Sequence, residues 1–488
     1  MARFTLTIPP GVYRNGTQYQ SKGRYYDAYC TRWYGSALGP IGGWRARSTD
    51  KPTGKARTAL AWKTNDGTTY LGIATESHLY VSNRAGSLFD ITPSGFVTGH
   101  ADASGTGGFG TGAFGTGAFG VARPDSSLVT DATMGSLDTW GEDLLFVSPD
   151  DGKIYEWALN TSVVAAAVTN APTCKALVVT AEGFVFALAT TDKRTVSWCD
   201  QRNNTTWTPS TTNQAGNQPL QTNGRLMCGR RVRDATLVFT DLDVWLAQYI
   251  GGVAVYGFQQ IGDSCGAISR GCVASFDQQA AWFSPSGFWM YNGSIQPLEC
   301  DVLDYLKSDI NWLQISKIVA VHNSAFFEIE WRYCSGSSTE IDRCIVWNYK
   351  YNYWTIGRAA RTCGIDAGVF RYPILIGSDG TIYEHEVGFN YDVTPYAETG
   401  PIQIGNGDNV VHVCSLIPDE KTSGDVTATF FLRFNPNGDE TQYGPFNLSQ
   451  ITDTRFVARE ARVRFTGQRL ADWRMGEPSL EGELGGLR

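Results

Sequence analysis

The stretches LLFVSPDDGKIYEW (144–157), AAWFSPSGFWMYNG (280–293) and ILIGSDGTIYEHE (374–386) repeat one pattern at widely separated places in the chain. Each consists of an apolar strand, a turn that contains serine and glycine, and a second strand that carries an aromatic residue. Serine and aspartate bond to the turn backbone, and glycine permits positive φ, so these residues favour tight turns. The pattern therefore predicts a repeated β-hairpin unit.

Related units recur from about residue 58 to residue 388. LAWKTNDGTTYLGIATESHLYVS (60–82), for example, reads as a meander of alternating strands around an Asn-Asp-Gly turn. The units follow one another at roughly 40 to 45 residues, which is the spacing of four-stranded propeller blades. We therefore expect an all-β fold whose body, residues 58–388, is a β-propeller of six or seven blades.

The regions on either side of this body have a different character. Residues 389–488 contain new alternating strands, such as VTATFFLRF and RFVAREARVRFTG, and predict a C-terminal β-sandwich. The N-terminal segment 1–57 is expected to be part of the same sandwich-like platform. A short helix is predicted at 302–313, with Asp301 as a possible N-cap.

Charge is distributed unevenly along the chain. The net charge is −8, but residues 1–57 carry ten Lys or Arg against two Asp or Glu, so this segment is +8 and the remainder is −16. An acidic body argues against a protein that reads nucleic-acid sequence, because such a protein needs a basic surface to neutralise phosphates. The basic segment is either a solvated terminus or an interaction arm. Its arginines Arg24, Arg32, Arg45 and Arg47 are candidates for a subunit or partner interface.

Residues 105–120 read GTGGFGTGAFGTGAFG and place Phe109, Phe114 and Phe119 on a string of glycines. Such a segment cannot bury a core of its own, and ordering it costs much entropy. It is predicted to be a long loop. Two interpretations stay open. The segment is either a flexible insertion, or it becomes ordered when its three phenylalanines bind a neighbouring chain.

No catalytic or metal-binding motif is visible. The eleven cysteines are irregularly spaced without a CxxC pair, and the five histidines show no metal-ligand spacing. Nucleophile-elbow and phosphate-loop motifs are also missing from the sequence. We therefore expect no enzymatic activity, no metal and no cofactor. The first residues do not have the pattern of a secretory signal, and no apolar stretch is long enough to span a membrane, so neither feature is expected.

Ser148, Asp150, Gly152 and Tyr155 match the Asp-box pattern S-x-D-x-G-x-x-aromatic. The box is expected to clamp a turn, with the serine and aspartate side chains bonded to the turn backbone and the aromatic ring packed beneath. It lies away from catalytic centres in the propellers that contain it, so it supports the fold and not a glycosidase activity.

Several stretches together resemble one family. They are GPIGGWRARS (39–48), GTGAFGTGAFG (110–120), SLDTWGEDLLFVSPDDGKIYEW (136–157), ETGPIQIGNGD (398–408) and ADWRMGEPSLEGELGGLR (471–488). In these stretches the chain resembles the tail nozzle proteins of short-tailed bacteriophages, also called tail tubular proteins of the B type or packaged-DNA stabilisation proteins. The resemblance covers nearly the whole chain.

This resemblance implies a structural virion protein, made in the host cytoplasm and assembled into the phage tail. Six copies would form a ring below the portal and a tail adaptor protein, near tail fibres or spikes, and double-stranded DNA would pass through the ring transiently. The acidic body fits this role, since a wall of like charge does not trap DNA. The alternative function is a carbohydrate-binding or carbohydrate-cleaving propeller, such as a receptor-binding tail protein. A cellular scaffold propeller is a third, less favoured possibility.

Overall fold

The structure is a computed structural model that describes residues 2–105, 129–233, 235–252, 254–404, 409–436 and 438–486. Almost all regular structure in these ranges is β. The N-terminal strands are β1 (Ala2–Thr5), β2 (Tyr25–Tyr29), β3 (Thr31–Tyr34), β4 (Ala37–Pro40) and β5 (Trp44–Ala46).

Seven four-stranded antiparallel sheets, blades 1 to 7, follow along the chain. Blade 1 is β6 (Thr58–Lys63), β7 (Thr69–Ala74), β8 (Leu79–Asn83) and β9 (Leu88–Asp90), and a two-stranded ribbon, β10 (Ser104–Gly105) with β11 (Val129–Thr130), comes next. Blade 2 is β12 (Ser136–Trp140), β13 (Asp143–Val147), β14 (Ile154–Trp157) and β15 (Ala166–Ala167). Blade 3 is β16 (Ala176–Val179), β17 (Val185–Leu188), β18 (Thr195–Trp198) and β19 (Gly216–Pro219). Blade 4 is β20 (Leu226–Val232), β21 (Ala235–Thr240), β22 (Val244–Gly251) and β23 (Val255–Gly262).

Blade 5 is β24 (Val273–Phe276), β25 (Gln279–Ser284), β26 (Gly287–Tyr291) and β27 (Ile295–Leu298). Blade 6 is β28 (Val319–Asn323), β29 (Glu328–Tyr333), β30 (Arg343–Asn348) and β31 (Tyr353–Gly357). Blade 7 is β32 (Arg361–Ile365), β33 (Ile374–Gly377), β34 (Ile382–His385) and, as its outermost strand, β5.

The first strands of the blades form a closed ring. Each of β6, β12, β16, β20, β24, β28 and β32 contacts the first strand of the next blade, and β32 contacts β6. Aromatic side chains fill the wedge between neighbouring blades, as where Trp62 of blade 1 meets Trp157 of blade 2 at 6.4 Å between ring centroids. The all-β propeller expected from the sequence is therefore confirmed, and the described residues contain seven blades.

Ring closure draws on the N-terminal segment. Sequence analysis assigned residues 44–46 to the segment before the propeller, but they pair with β34 through Tyr383↔Ala46, Glu384↔Arg45 and His385↔Trp44. Blade 7 has only three strands of its own, and a strand from the start of the chain completes it. Closing the ring in this way joins the two ends of the propeller by main-chain hydrogen bonds and covers the open edge of β34.

The platform beside the propeller is a sandwich of two sheets. Its C-terminal strands are β35 (Tyr396–Thr399), β36 (Ile402–Gln403), β37 (Val411–Ile417), β38 (Val426–Arg433), β39 (Thr441–Asn447), β40 (Thr452–Ala458), β41 (Glu460–Gly467) and β42 (Ser479–Leu484). One sheet has the order β1-β42-β37-β40, and the other has β2-β35-β41-β38-β39 with β36 also on β41. Strands from both ends of the chain thus share both sheets.

The platform packs against blade 6 through aromatic side chains. Trp33 is 1% exposed and lies 5.0 Å from Tyr25 and 5.5 Å from Tyr353, measured between ring centroids. The Val12 amide donates to the Trp354 carbonyl at 2.7 Å. Platform and propeller therefore share one continuous apolar core.

Helix is confined to short pieces. The α-helix α1 (Leu303–Asp309) lies within the predicted range 302–313, and a 3₁₀ segment (Trp312–Lys317) begins at the end of that range and continues past it. Two further 3₁₀ turns occupy Gln18–Ser21 and Ser324–Phe326. The cap prediction was wrong, because Val302 is the N-cap and Asp301 instead forms an ion pair with Arg24. No helix in the described ranges has the length and hydropathy needed to cross a bilayer.

Candidate functional site

The first strands of all seven blades surround an axial cavity of about 330 Å³. Small residues line much of it, including Ala59, Gly229, Gly271, Ala320 and Gly364. A volume of this size is at the lower end of the range found for small-molecule sites. The cavity is therefore the candidate functional site of the propeller.

Arginine gives this cavity its electrostatic character. Arg57, Arg230, Arg231 and Arg270 line it together with a single carboxylate, Asp138. Arg231 pairs with Asp138 at 3.2 Å. Burial raises the pKa of Asp138, and the Arg231 guanidinium opposes that shift.

Arg230 and Arg270 lie between blades 4 and 5 and bond to main-chain oxygens. Arg230 donates through Nε to the Val273 carbonyl at 3.2 Å, and Arg270 donates through Nη1 to the Met227 carbonyl at 2.7 Å. In the part of the chain that the structure describes, neither guanidinium has a carboxylate within 4.0 Å. Burial, reinforced by the nearby Arg225, lowers the pKa of Arg270.

One face of the cavity is covered by what we call the crossing segment, residues 99–105 and 129–135. The Gly99 amide donates to Glu76 of blade 1 at 2.8 Å, whereas Ala103 exchanges two hydrogen bonds with Gln314, which precedes blade 6. Met134, which lines the cavity, packs against Gly271 at the start of blade 5. The segment therefore runs across the propeller axis.

An ionic cluster built on two buried cations fastens the crossing segment. Arg57, 1% exposed, pairs with Glu340 through two bonds of 2.6 and 2.9 Å and also donates to the Ala101 carbonyl at 2.8 Å. Lys317, fully buried, pairs with Asp102 and donates to the Thr339 carbonyl. Burial alone would raise the pKa of Glu340, but the bonds from Arg57 lower it. We call Arg57, Glu340, Lys317 and Asp102 the staple.

The four arginines that the sequence marked as interface candidates all have partners in their own chain. Arg24 pairs with Asp301 at 2.8 Å, and both Arg45 and Arg47 pair with Glu384 at 2.8 and 3.3 Å. Arg45 is the most accessible of the four, with 61% of its side chain exposed. A role in subunit contact stays a prediction for this segment.

Arg32, the fourth, is the centre of a second buried cluster, which we call the junction. It bonds to Glu328 at 2.6 Å through both Nε and Nη2 and to Glu386 at 2.7 Å, and it covers the ring of Phe326. Burial alone would lower the pKa of Arg32, but the two carboxylates raise it well above its ordinary value. The junction ties the N-terminal segment to blades 6 and 7.

A histidine, His385, lies beside the junction. Arg361 donates through Nε to His385 Nε2 at 3.0 Å, and Trp44 stacks on the imidazole at 5.5 Å. Burial, Arg361 and Arg332 together hold the pKa of His385 well below its usual value.

The Asp box lies at the turn between β13 and β14, where Gly152 has φ +78° and its amide donates to the Ser148 carbonyl at 2.7 Å. Tyr155 is buried as expected. The predicted side-chain clamp differs, because Asp150 accepts from Thr133 of the crossing segment, and Ser148 Oγ has no partner among the described residues. The box therefore connects blade 2 to the crossing segment.

Some sequence predictions fall outside the described residues. Phe109, Phe114 and Phe119 belong to residues 106–128, so the anchoring role of the Gly/Phe loop stays a prediction. In the described ranges, no group of three or more His, Cys, Asp or Glu side chains is arranged as a metal site.

Sequence reasoning missed the arginines of the axial cavity. The stretch RLMCGRRVR (225–233) carried a signal, since it places two adjacent arginines on a strand that is otherwise apolar. Arg270 and Arg57 carried none, because each is an isolated arginine that only the closed ring brings to the axis.

Similarity to known proteins is confined to solved structures, at low identity. No protein-family model matches the sequence, and no curated protein matches it. Among solved structures, virginiamycin B lyase from Staphylococcus aureus aligns with 70% of this chain and 97% of its own, at 8% identity and a TM-score of 0.40. The N-terminal domain of Nup159 aligns with 71% and 96%, at 10% identity and 0.39. The Pan2 WD40 domain of Neurospora crassa aligns with 71% and 94%, at 9% identity and 0.36.

Proposed function

We propose that this chain is a structural subunit of the tail nozzle of a short-tailed bacteriophage, part of a ring through which double-stranded DNA leaves the virion. The observation that carries the proposal is the platform, in which β1 and β2 from the start of the chain pair with β42 and β35 from its end. This arrangement makes the propeller an insertion into a sandwich. Such a chain has one module for assembly and a second that projects from it, which suits the family that the sequence resembles.

The surface of the platform supports assembly through this module. The edge strand β39 is exposed along nearly its whole length, and no strand of the described residues pairs with it on the side away from β38. Phe434 and Tyr443, which are 51% and 39% exposed, lie on this β-hairpin. An open edge with exposed aromatic side chains is a suitable surface for a neighbouring copy.

Electron microscopy of the purified full chain tests the proposal. We expect rings, six copies in the simplest case, with a central channel, and we expect binding to a tail adaptor protein. The double variant Phe434→Glu, Tyr443→Glu should abolish rings, whereas the control Ile250→Glu, at a propeller side chain that is 60% exposed, should not. A monomer that binds or cleaves polysaccharide would favour the carbohydrate-directed alternative and overturn the proposal.

The basic segment offers a second test of the same assembly. Arg45 is the interface candidate that can be altered with the least disturbance, because most of its side chain is exposed and Glu384 keeps Arg47 as a partner. Arg45→Glu should weaken ring formation or adaptor docking while the propeller stays folded. If this variant assembles normally, Arg45 is not an interface residue.

A further inference from the structure

Among the described residues, four arginines and one carboxylate, Asp138, line the axial cavity. Glu340 pairs with Arg57 and Asp138 pairs with Arg231, which leaves Arg230 and Arg270 as two guanidinium groups on one wall without an acidic partner in the described residues. Burying cations without counter-charges is unfavourable. Both side chains are half-buried, so part of this cost applies to them, and an anion in the cavity would relieve it. Burial and the nearby Arg225 lower the pKa of Arg270 although Asp131 opposes the shift, so the carboxylate present does not offset the desolvation.

The two guanidinium groups are held in place and keep unused donors. Arg230 on β20 donates to the carbonyl of Val273 on β24, and Arg270, three residues before β24, donates to the carbonyl of Met227 on β20. The carbonyl bonds use two donors of Arg230 and one of Arg270, and a guanidinium has five N–H donors. Each arginine can therefore offer further N–H groups to an oxyanion, which is the group that its planar fork fits best.

Access to this wall is from the face opposite the crossing segment. Arg231 lines the axial cavity and also two surface depressions, one bordered by Thr139 and Arg202 and the other by Arg233 and Asp277. These depressions lie at the turns that follow the first strands of blades 2 to 5. A ligand that enters there contacts Arg231 near the surface before it reaches Arg230 in the cavity.

We propose that the axial cavity binds one small oxyanion-bearing molecule, an organic phosphate or carboxylate, through Arg230 and Arg270. The cavity volume suits a small metabolite, whereas a nucleic-acid duplex is far too wide to enter it. This inference does not rest on the proposed tail function, because it depends only on the propeller.

Calorimetric titration of the full chain at low salt tests the site, with inorganic phosphate, citrate and glucose 6-phosphate as separate probes. We expect saturable binding of one molecule per chain for at least one probe. Preference for the two phosphate probes or for citrate distinguishes a phosphate from a carboxylate ligand. Arg230→Gln and Arg270→Gln should each weaken binding by about tenfold or more, the size expected for loss of a charge-assisted hydrogen bond.

Arg194→Gln is the matched control. It removes one positive charge from an exposed arginine of blade 3 that pairs with Asp192. It therefore measures how far a change in net charge alone affects anion binding, and binding should stay unchanged. The binding anion should also raise the thermal unfolding temperature of the wild-type chain and of Arg194→Gln but not that of the cavity variants. If Arg270→Gln does not fold, Arg230→Lys, which keeps the charge but loses the planar fork, supplies the comparison.

The proposal is wrong if no probe binds with a Kd below about 10 mM, a very weak affinity. It is equally wrong if the cavity variants bind as well as the control. Binding of a short DNA duplex that phosphate and citrate do not displace would assign these arginines to a nucleic-acid surface instead.

Discussion

The junction and the axial cavity both contain arginine, but Arg32 at the junction is buried, whereas Arg230 and Arg270 in the cavity are half-buried. Arg32 at the junction contacts two carboxylates, whereas Arg230 and Arg270 in the cavity contact only main-chain carbonyls. A buried ion pair is costly to break, because removing one partner leaves the other charged and desolvated. The paired arginine therefore stabilises the fold, while the two without a carboxylate partner keep N–H donors that the fold does not use.

The largest effect is expected at the junction. Arg32→Met leaves Glu328 and Glu386 facing each other without a counter-charge, so the free energy of unfolding should fall by about 3–5 kcal/mol. Urea denaturation measures this. The double variant Arg32→Met, Glu328→Gln should recover part of this lost free energy of unfolding. If Arg32→Met costs less than the substitution of an exposed arginine does, Arg32 has no structural role.

The staple should give the next effect. Glu340→Gln removes the carboxylate that Arg57 holds through two bonds, and we expect a loss of about 2 kcal/mol. Amide hydrogen exchange should show faster opening of residues 99–105 and 129–135 in this variant, with little change in blade 3. Because the pKa of Glu340 is lowered on folding, its contribution is present above about pH 4.3 and is lost as the pH falls further. If exchange becomes faster by the same factor over the whole propeller, the staple does not act locally on the crossing segment.

The histidine beside the junction should give a pH dependence in a separate window. The unfolded chain takes up a proton on His385 near pH 6.5, whereas the folded chain resists it, so stability is full above about pH 6.5 and falls as the pH decreases towards the folded pKa. One proton gives at most about 1.4 kcal/mol per pH unit. His385→Gln should flatten the slope of unfolding free energy between pH 6.5 and 5.5.

His322→Gln is the control for that slope. Burial lowers the pKa of His322 as well, with Asp366 opposing the shift, so its removal should flatten the slope less than the removal of His385 does. The reverse order would show that the buried group beside Arg361 is not the main contributor.

A smaller effect is expected in the axial cavity. Without an added anion, Arg270→Gln should change the free energy of unfolding by less than about 1 kcal/mol, because the residue it replaces has no carboxylate partner to leave behind. The same urea titration measures it. A loss as large as that of Arg32→Met would mean that Arg270 is structural.

The smallest effect is expected at Arg45, the most exposed of the arginines in the N-terminal segment that form an ion pair within the chain. Its pair with Glu384 is screened by water, so Arg45→Ala should cost no more than about 0.5 kcal/mol in the isolated subunit. A larger cost, measured in the monomer, would show that the pair supports the attachment of β5 to blade 7.

Part of the candidate site was within reach of the sequence. The adjacent arginines at 230 and 231 stand on a strand with alternating side chains, so one of them had to face away from the blade core. The position of the axis, however, depends on which strand of a blade lies innermost. The three apolar strands of a blade, such as β16, β17 and β18, do not differ in sequence in a way that shows which one it is. The Asp box was found by its spacing, but the partner of Asp150 comes from a segment that crosses the ring.

Alternation and turn chemistry act between near neighbours, so the strands, their turns and a repeat of about one blade in 40 to 45 residues could be predicted from the amino-acid sequence. The closing of blade 7 by Trp44–Ala46, the pairing of strands from both ends in the platform and the position of Arg57, Arg230 and Arg270 around the axis could not. These contacts join residues far apart in the chain. Their geometry follows from the closure of seven twisted sheets into a ring, which no local pattern encodes.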